Sequence, residues 1–140
     1  MHLWRRFDAT DPAHFDSTIW DEGSGVRHLK GGALRFDADG CSVYRGDVLG
    51  SLGLTPASIT TESHSALAHA NRADIEAFRS PLSSAPSQQA FRVVPDPLEP
   101  EPPYNPAHTL VQHLLDYASN SKRRRAQGEL ARSVFVYVEH

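Results

Sequence analysis

Sulfur is nearly absent from this chain, which has one cysteine, Cys41, and one methionine in 140 residues. A single thiol excludes an internal disulfide and any multi-thiolate metal site. No apolar run approaches the roughly 18 residues of a membrane span. The N-terminal Met1-His2-Leu3-Trp4-Arg5-Arg6 has no apolar core behind its charges, so no secretory signal is expected and the expectation is a cytoplasmic protein. A basic excess is also missing: the net charge is −3, so bulk electrostatics does not point to nucleic acid. Neither Gly-x4-Gly-Lys-Ser/Thr nor Gly-x-Gly-x-x-Gly occurs, and no Gly-x-Ser-x-Gly elbow marks a nucleophile. The chain has no internal repeat and no heptad run.

Proline and local charge are what the chain does have. Six of its ten prolines fall between Pro95 and Pro106. Proline fixes φ and lacks an N–H donor, so this stretch cannot be a helix interior or a central strand. It reads as an extended, acidic surface strap over 95–106, carrying Asp96, Glu99 and Glu101, with Leu98 and Tyr104 as candidate partner anchors. Its acidic residues could face the basic tract Lys122-Arg123-Arg124-Arg125, which holds four of the fourteen lysines and arginines. On a helix these four fan out around the circumference and, at its N-terminus, oppose the dipole. That placement points to solvation, an internal acidic partner, an acidic protein or a nucleic acid. Arg5, Arg6, Arg27 and Lys30 extend the patch only if folding gathers them.

The length suits one domain, 1–140, with a core of its own. Residues 2–8 read as a first strand and 9–32 as an irregular loop anchored by Ile19 and Trp20. Residues 33–45 read as a hairpin, with strands 33–36 and 41–45 around Asp37-Ala38-Asp39-Gly40. A short helix over 47–53 is expected, with Asp47 capping, Val48, Leu49 and Leu52 inward, and Gly53 stopping it. Strand 64–70, helix 72–79 capped by Asn71, and strand 90–94 stopped by Pro95 follow. Residues 108–113 start a strand or a helix. Ser119 or Ser121 caps a helix to about Arg132, with Ala126, Leu130 and Ala131 inward. Residues 133–138, apolar on both faces, read as a central strand. The sum is α+β: one compact domain with a mixed or mostly antiparallel sheet and two or three short helices.

Eight histidines are many for this length, but His64/His69 and His108/His113 are each five apart. Metal pairs want two on a strand and three or four on a helix, so no metal site is expected. Cys41 reads as a small residue entering a strand. The glycines of Gly23-Ser24-Gly25 and Gly31-Gly32 read as a flexible connection rather than a phosphate loop. No catalytic constellation and no cofactor are assigned.

Two resemblances add to this reading. The phrase from Gly32 to Arg45, with Phe36 before a charged turn and then Ser42-Val43-Tyr44-Arg45, resembles one found in a group of short bacterial α+β proteins. So do Val93-Val94-Pro95-Asp96-Pro97, Pro106-Ala107-His108 and the basic stretch Lys122–Arg132. This likeness covers most of the chain and carries no activity with it. A second stretch, Gly31-Gly32-Ala33-Leu34-Arg35-Phe36 before Val43-Tyr44, is similar to the Gly-Gly-Arg-Trp and Val-Tyr phrases of RES-type toxins, which degrade NAD. That likeness implies Arg35 on the cofactor phosphates and Tyr44 beside the nicotinamide. Two residues interrupt the Gly-Gly-Arg, and Pro56, Ala57 and Ser58 stand where the family carries a glutamate.

The leading expectation is therefore a non-enzymatic interaction protein, an accessory component of a bacterial operon related to toxin–antitoxin or defence functions. Its partner would be another protein, held by Leu98, Tyr104 and Lys122–Arg125, with no membrane association. The alternatives are a nucleotide- or NAD-binding or NAD-cleaving protein built on Arg35 and Tyr44, and a nucleic-acid binder using the basic helix.

Overall fold

The computed structural model describes residues 1–21 and 26–138, with side chains described outside 15–28. The chain forms one α+β domain around a six-stranded sheet. Its strands are β1 (His2–Phe7), β4 (Cys41–Arg45), β5 (Ala66–Asn71), β6 (Phe91–Pro95), β7 (His108–His113) and β8 (Val136–Val138). The spatial order is β6-β7-β4-β1-β5-β8, and every pairing is antiparallel. Residues expected as irregular instead hold a two-stranded sheet, β2 (Phe15–Asp21) with β3 (Val26–Leu29). Thr18, Ile19, Trp20 and Val26 are strand-forming types that carried this signal. The anchoring expected of Ile19 and Trp20, the Arg27 contribution and Gly23-Ser24-Gly25 lie outside the described residues and side chains.

Three helices complete the fold: α1 (Gly46–Ser51), α2 (Arg72–Ala77) and α3 (Asn120–Ser133). Strand alternation divides the sheet into two faces. Leu3, Phe7, Cys41, Val43, Ala68, Phe91, Val93 and Val111 form the main core with Ile75 of α2 and Leu130 and Ala131 of α3. Each fully buried Phe or Leu here contributes about 1.5–3 kcal/mol. On the other face Tyr44, Leu67 and Ala107 pack with Leu49 of α1 and Ile59, flanked by Trp4 and Tyr104.

Several expectations change. Residues 33–36 make no strand, because β4 already has β1 on one side and β7 on the other. The Asp37–Gly40 turn does form, and Gly40 sits at φ 124°, with Val111 O only 2.6 Å from where a Cβ would lie. Residues 133–138 are not a central strand. Helix α3 runs to Ser133, Phe135 enters the core, and only 136–138 pair, with β5, at the sheet edge. Helix α1 ends at Ser51, so Leu52 leaves the inward stripe and is exposed, while Gly53 stops the helix at φ 73° as expected. Asp47 lies inside the first turn of α1 rather than capping it, and its carboxyl is held below the usual range by the Arg45 guanidinium 2.7 Å away. Asn71 ends β5 and makes no side-chain cap to α2.

The proline stretch is exposed over 97–103 and carries the chain from β6 to β7. It is the connection of the β6–β7 hairpin, closed by Asp96 N–H to His108 O at 3.0 Å and Leu98 N–H to Asn105 O at 3.1 Å. Pro95 is tolerated because β6 is an edge strand.

Candidate functional site: a cationic cavity beside helix α3

A cavity of about 480 Å³ opens between β1, residues 31–36 and α3. It is lined by Arg5, His14, Arg35, His64, Arg124 and Gln127, with Leu34 and Phe36 as apolar wall and Gly31 and Gly32 beneath. No aspartate or glutamate belongs to this lining among the described residues.

The glycines set the shape. A Cβ on Gly31 would lie 3.0 Å from Gly128 Cα, and one on Gly32 would lie 2.5 Å from Ala13 O. Gly128 inside α3 costs about 1 kcal/mol of helix propensity, although a Cβ there would make only ordinary contact with Gly31 Cα at 3.9 Å. Helix α3 is capped by Ser119, whose hydroxyl accepts from Lys122 N–H at 3.2 Å.

Arg5 anchors the site. Its Nε donates to Ala33 O and its Nη1 to Ser42 O, both at 2.9 Å. Two carbonyls fix the guanidinium without neutralising it, and no carboxylate pairs with it among the described residues. Arg35 is largely exposed and reaches Asp37 at 3.1 Å. Arg124 is exposed on the second turn of α3 and has no ion pair among the described residues. His14 Nδ1 accepts from Asp8 N–H at 3.3 Å, so its proton sits on Nε2, 3.6 Å from Asp11. Gln127 donates to His113 Nε2 at 2.9 Å. Burial, with Arg123 nearby, pushes His113 down to about 4, so it stays neutral at pH 7.

The basic tract fans out as expected. Arg124 enters the cavity. Arg123 lines the adjoining depressions with Phe36, Asp37 and Ala38. Lys122 turns toward Ser84, Asp116 and Tyr117. Arg125 is exposed and lines none of these cavities. The tract starts α3 beyond the end of β7, while the acidic proline loop precedes β7, so the two lie at opposite ends of that strand. No ion pair joins them among the described residues.

Arg35 and Tyr44 do not converge. Arg35 lines the α3-side cavity, whereas Tyr44 is buried on the opposite face, its hydroxyl raised by that burial. There Arg6 lies 5.7 Å from the Tyr44 ring and 5.6 Å from that of Tyr104, and its Nη1 donates to Ile59 O and Tyr104 Oη. Tyr104 is thus turned inward, and Leu98 alone of the two expected anchors is exposed. Arg6 leaves the cationic patch for this face and Arg5 joins it, as strand alternation requires. His108 and His113 likewise fall on opposite faces, and no group of three metal-ligating side chains occurs among the described residues. Cys41 is buried in β4 and its thiol is pushed up by desolvation.

One constellation escaped the sequence. His108 Nε2 is 2.8 Å from Ser42 Oγ, and His108 Nδ1 is 3.1 Å from Asp96 Oδ2 and 3.0 Å from Asp96 O. Serine, aspartate and histidine come from three segments: the β4–β7 register, with Tyr44 opposite His108 and Leu110 opposite Ser42, brings Ser42 to His108, and the β6–β7 hairpin brings Asp96. The phrases Ser42–Arg45 and Pro106–His108 are neighbours through that same pairing.

Comparison with protein-family models, curated proteins and solved structures finds no match to this chain. No described helix is long and apolar enough to cross a membrane.

Proposed function

We propose that the chain binds a small phosphate-bearing ligand of the nucleotide class in the cavity beside α3. The observation that supports this best is the set of three guanidinium groups, Arg5, Arg35 and Arg124, in one cavity whose described lining residues include no carboxylate. Like charges brought together at a concave site repel until an anion arrives, and guanidinium groups bind phosphate oxygens in pairs. The volume suits a small molecule, and Leu34 and Phe36 offer an apolar wall to a base or ring. Asp37 and Asp39 line the neighbouring depressions, which disfavours a long polyanion running on from the cavity. This favours a small ligand over nucleic acid. It keeps Arg35 from the NAD reading and drops Tyr44.

Thermal melting with ADP, ADP-ribose, NAD and inorganic pyrophosphate tests the reading. A saturating ligand at a hundred times its Kd adds about 2.7 kcal/mol, or roughly 10 °C in Tm for a domain of this size. No shift with any of the four at 10 mM (roughly a thousandfold above a 10 µM Kd) counts against it. Salt-sensitive binding of single-stranded RNA in place of the small ligands would favour the nucleic-acid alternative.

A protein-binding role retains one supporting observation, the exposed Leu98 on the rigid proline hairpin. Its test is whether Leu98→Asp abolishes a stoichiometric complex isolated with the chain; a complex indifferent to that change removes the hairpin from consideration.

A further inference from the structure

The face of the sheet away from α3 carries a second chemistry, independent of the cavity. We propose that Ser42 is the nucleophile of an acyl-transfer site for small esters or thioesters, with His108 as its base and Asp96 as the positioning residue.

The hydrogen bonds assign the protons. Both the carboxylate and the carbonyl of Asp96 face His108 Nδ1, at 3.1 and 3.0 Å, and both are acceptors. Nδ1 therefore carries the proton in the neutral ring, and Nε2 presents its lone pair to the Ser42 hydroxyl at 2.8 Å. This is the tautomer a serine nucleophile requires. The imidazole is nearly buried, so its orientation is held by the sheet, while Ser42 and Asp96 remain partly open to solvent. Pairing of β1 with β4 sets Leu3 opposite Arg45 and Trp4 opposite Tyr44. Arg6, two residues on from Trp4, lies on the same face of the sheet, and its Nη1 donates to Ile59 O and Tyr104 Oη.

In the step proposed, Ser42 Oγ adds to the acyl carbon as its proton passes to His108 Nε2, and the carbonyl electron pair moves onto oxygen. Collapse breaks the bond to the leaving alcohol or thiol, which takes the proton from His108. Water then adds to the acyl-serine, gives its proton to His108, and the Ser42 ester bond breaks as Oγ regains a proton. Atoms and charge balance with water as the sole co-reactant.

The test is labelling of the full chain with a small alkyl fluorophosphonate, mapped by peptide mass spectrometry. The expected result is one adduct, on Ser42, formed at least about 100-fold faster than on the urea-unfolded chain. Ser42→Ala removes it. Asp96→Asn lowers the rate at pH 7 and changes its pH profile without changing the melting temperature, and Asp96→Glu restores part of it. Because His108 is nearly buried and its replacement perturbs the sheet, mapping on the unaltered protein decides alone. An adduct elsewhere, or a rate no faster than the unfolded chain, overturns the proposal.

Discussion

The two faces of the sheet handle polar groups in opposite ways. Toward α3, among the described residues, Arg5 and Arg124 meet no carboxylate and Arg35 meets only the exposed Asp37. On the far face Arg6, Tyr104, Ser42, His108 and Asp96 are bonded to one another or to backbone carbonyls. Charge without an internal partner costs folding energy and gives most of it back when an anion binds. A closed hydrogen-bonded chain costs little and instead fixes orientation and tautomer. The α3 face thus leaves cationic groups open to an anion, and the far face fixes the orientation of its polar groups.

The largest expected effect bears on the core that both faces share. Phe91 is fully buried against Phe36, Phe78 and His113. Phe91→Ala should cost about 3–5 kcal/mol in urea unfolding. A loss below about 1 kcal/mol would mean the α3 face is not packed as described.

Gly31→Ala separates the faces. Its Cβ would press on Gly128 Cα at 3.0 Å, so α3 must shift, at about 1–3 kcal/mol, and the cavity loses its shape. Ligand-induced melting shifts should fall while fluorophosphonate labelling of Ser42 persists. Gly50→Ala is the control, since a Cβ there meets nothing within 4 Å; it should be neutral or stabilising by up to about 1 kcal/mol.

Proton linkage belongs to the α3 face through His113. Its pKa is lowered from 6.5 to about 4, chiefly by desolvation and then by Arg123. Below pH 6.5 the unfolded chain takes up a proton that the native chain refuses, so stability falls from about pH 6.5 to 4 and levels off below. Discounted for solvent screening, the loss is on the order of 1–2 kcal/mol. His113→Phe should flatten that part of the urea-midpoint curve; an unchanged slope would show another group is responsible.

The smallest effect on stability comes from Arg124→Gln, within about 0.5 kcal/mol. Ligand affinity should nonetheless drop about 5- to 30-fold, corresponding to about 1–2 kcal/mol for one charge-assisted contact. The same change at Arg125, which lines none of the cavities, should leave affinity unaltered.

Local pattern made much of this fold legible. The Asp37–Gly40 turn marked β4, the helix beginning after Asn71 marked β5 and Pro95 marked the end of β6; the Ala126, Leu130, Ala131 stripe and Ser119 marked α3; Gly53 marked the end of α1. The failures were non-local. Nothing near 33–36 says that both edges of β4 are taken, and nothing near 136–138 says that β5 alone will pair with it. The cavity was half legible, through Arg35 and Arg124. Arg5 could be assigned to it only once the strand phase separated it from Arg6. The Ser42–His108–Asp96 chain was not legible at all, because 66 residues separate Ser42 from its base and only sheet register joins them.

The ligand site proposed is the cavity that Arg5, Arg35 and Arg124 form beside α3. An NMR titration of the ¹⁵N-labelled chain with ADP, following backbone amides and arginine Nε–H groups, tests it most directly. Saturable shifts are expected at Arg5, Gly31, Gly32, Arg35, Arg124 and Gln127, with Ser42, Tyr44 and His108 unmoved. Shifts confined to Lys122–Arg125 that vanish with salt, or no shifts at millimolar ADP, would contradict it.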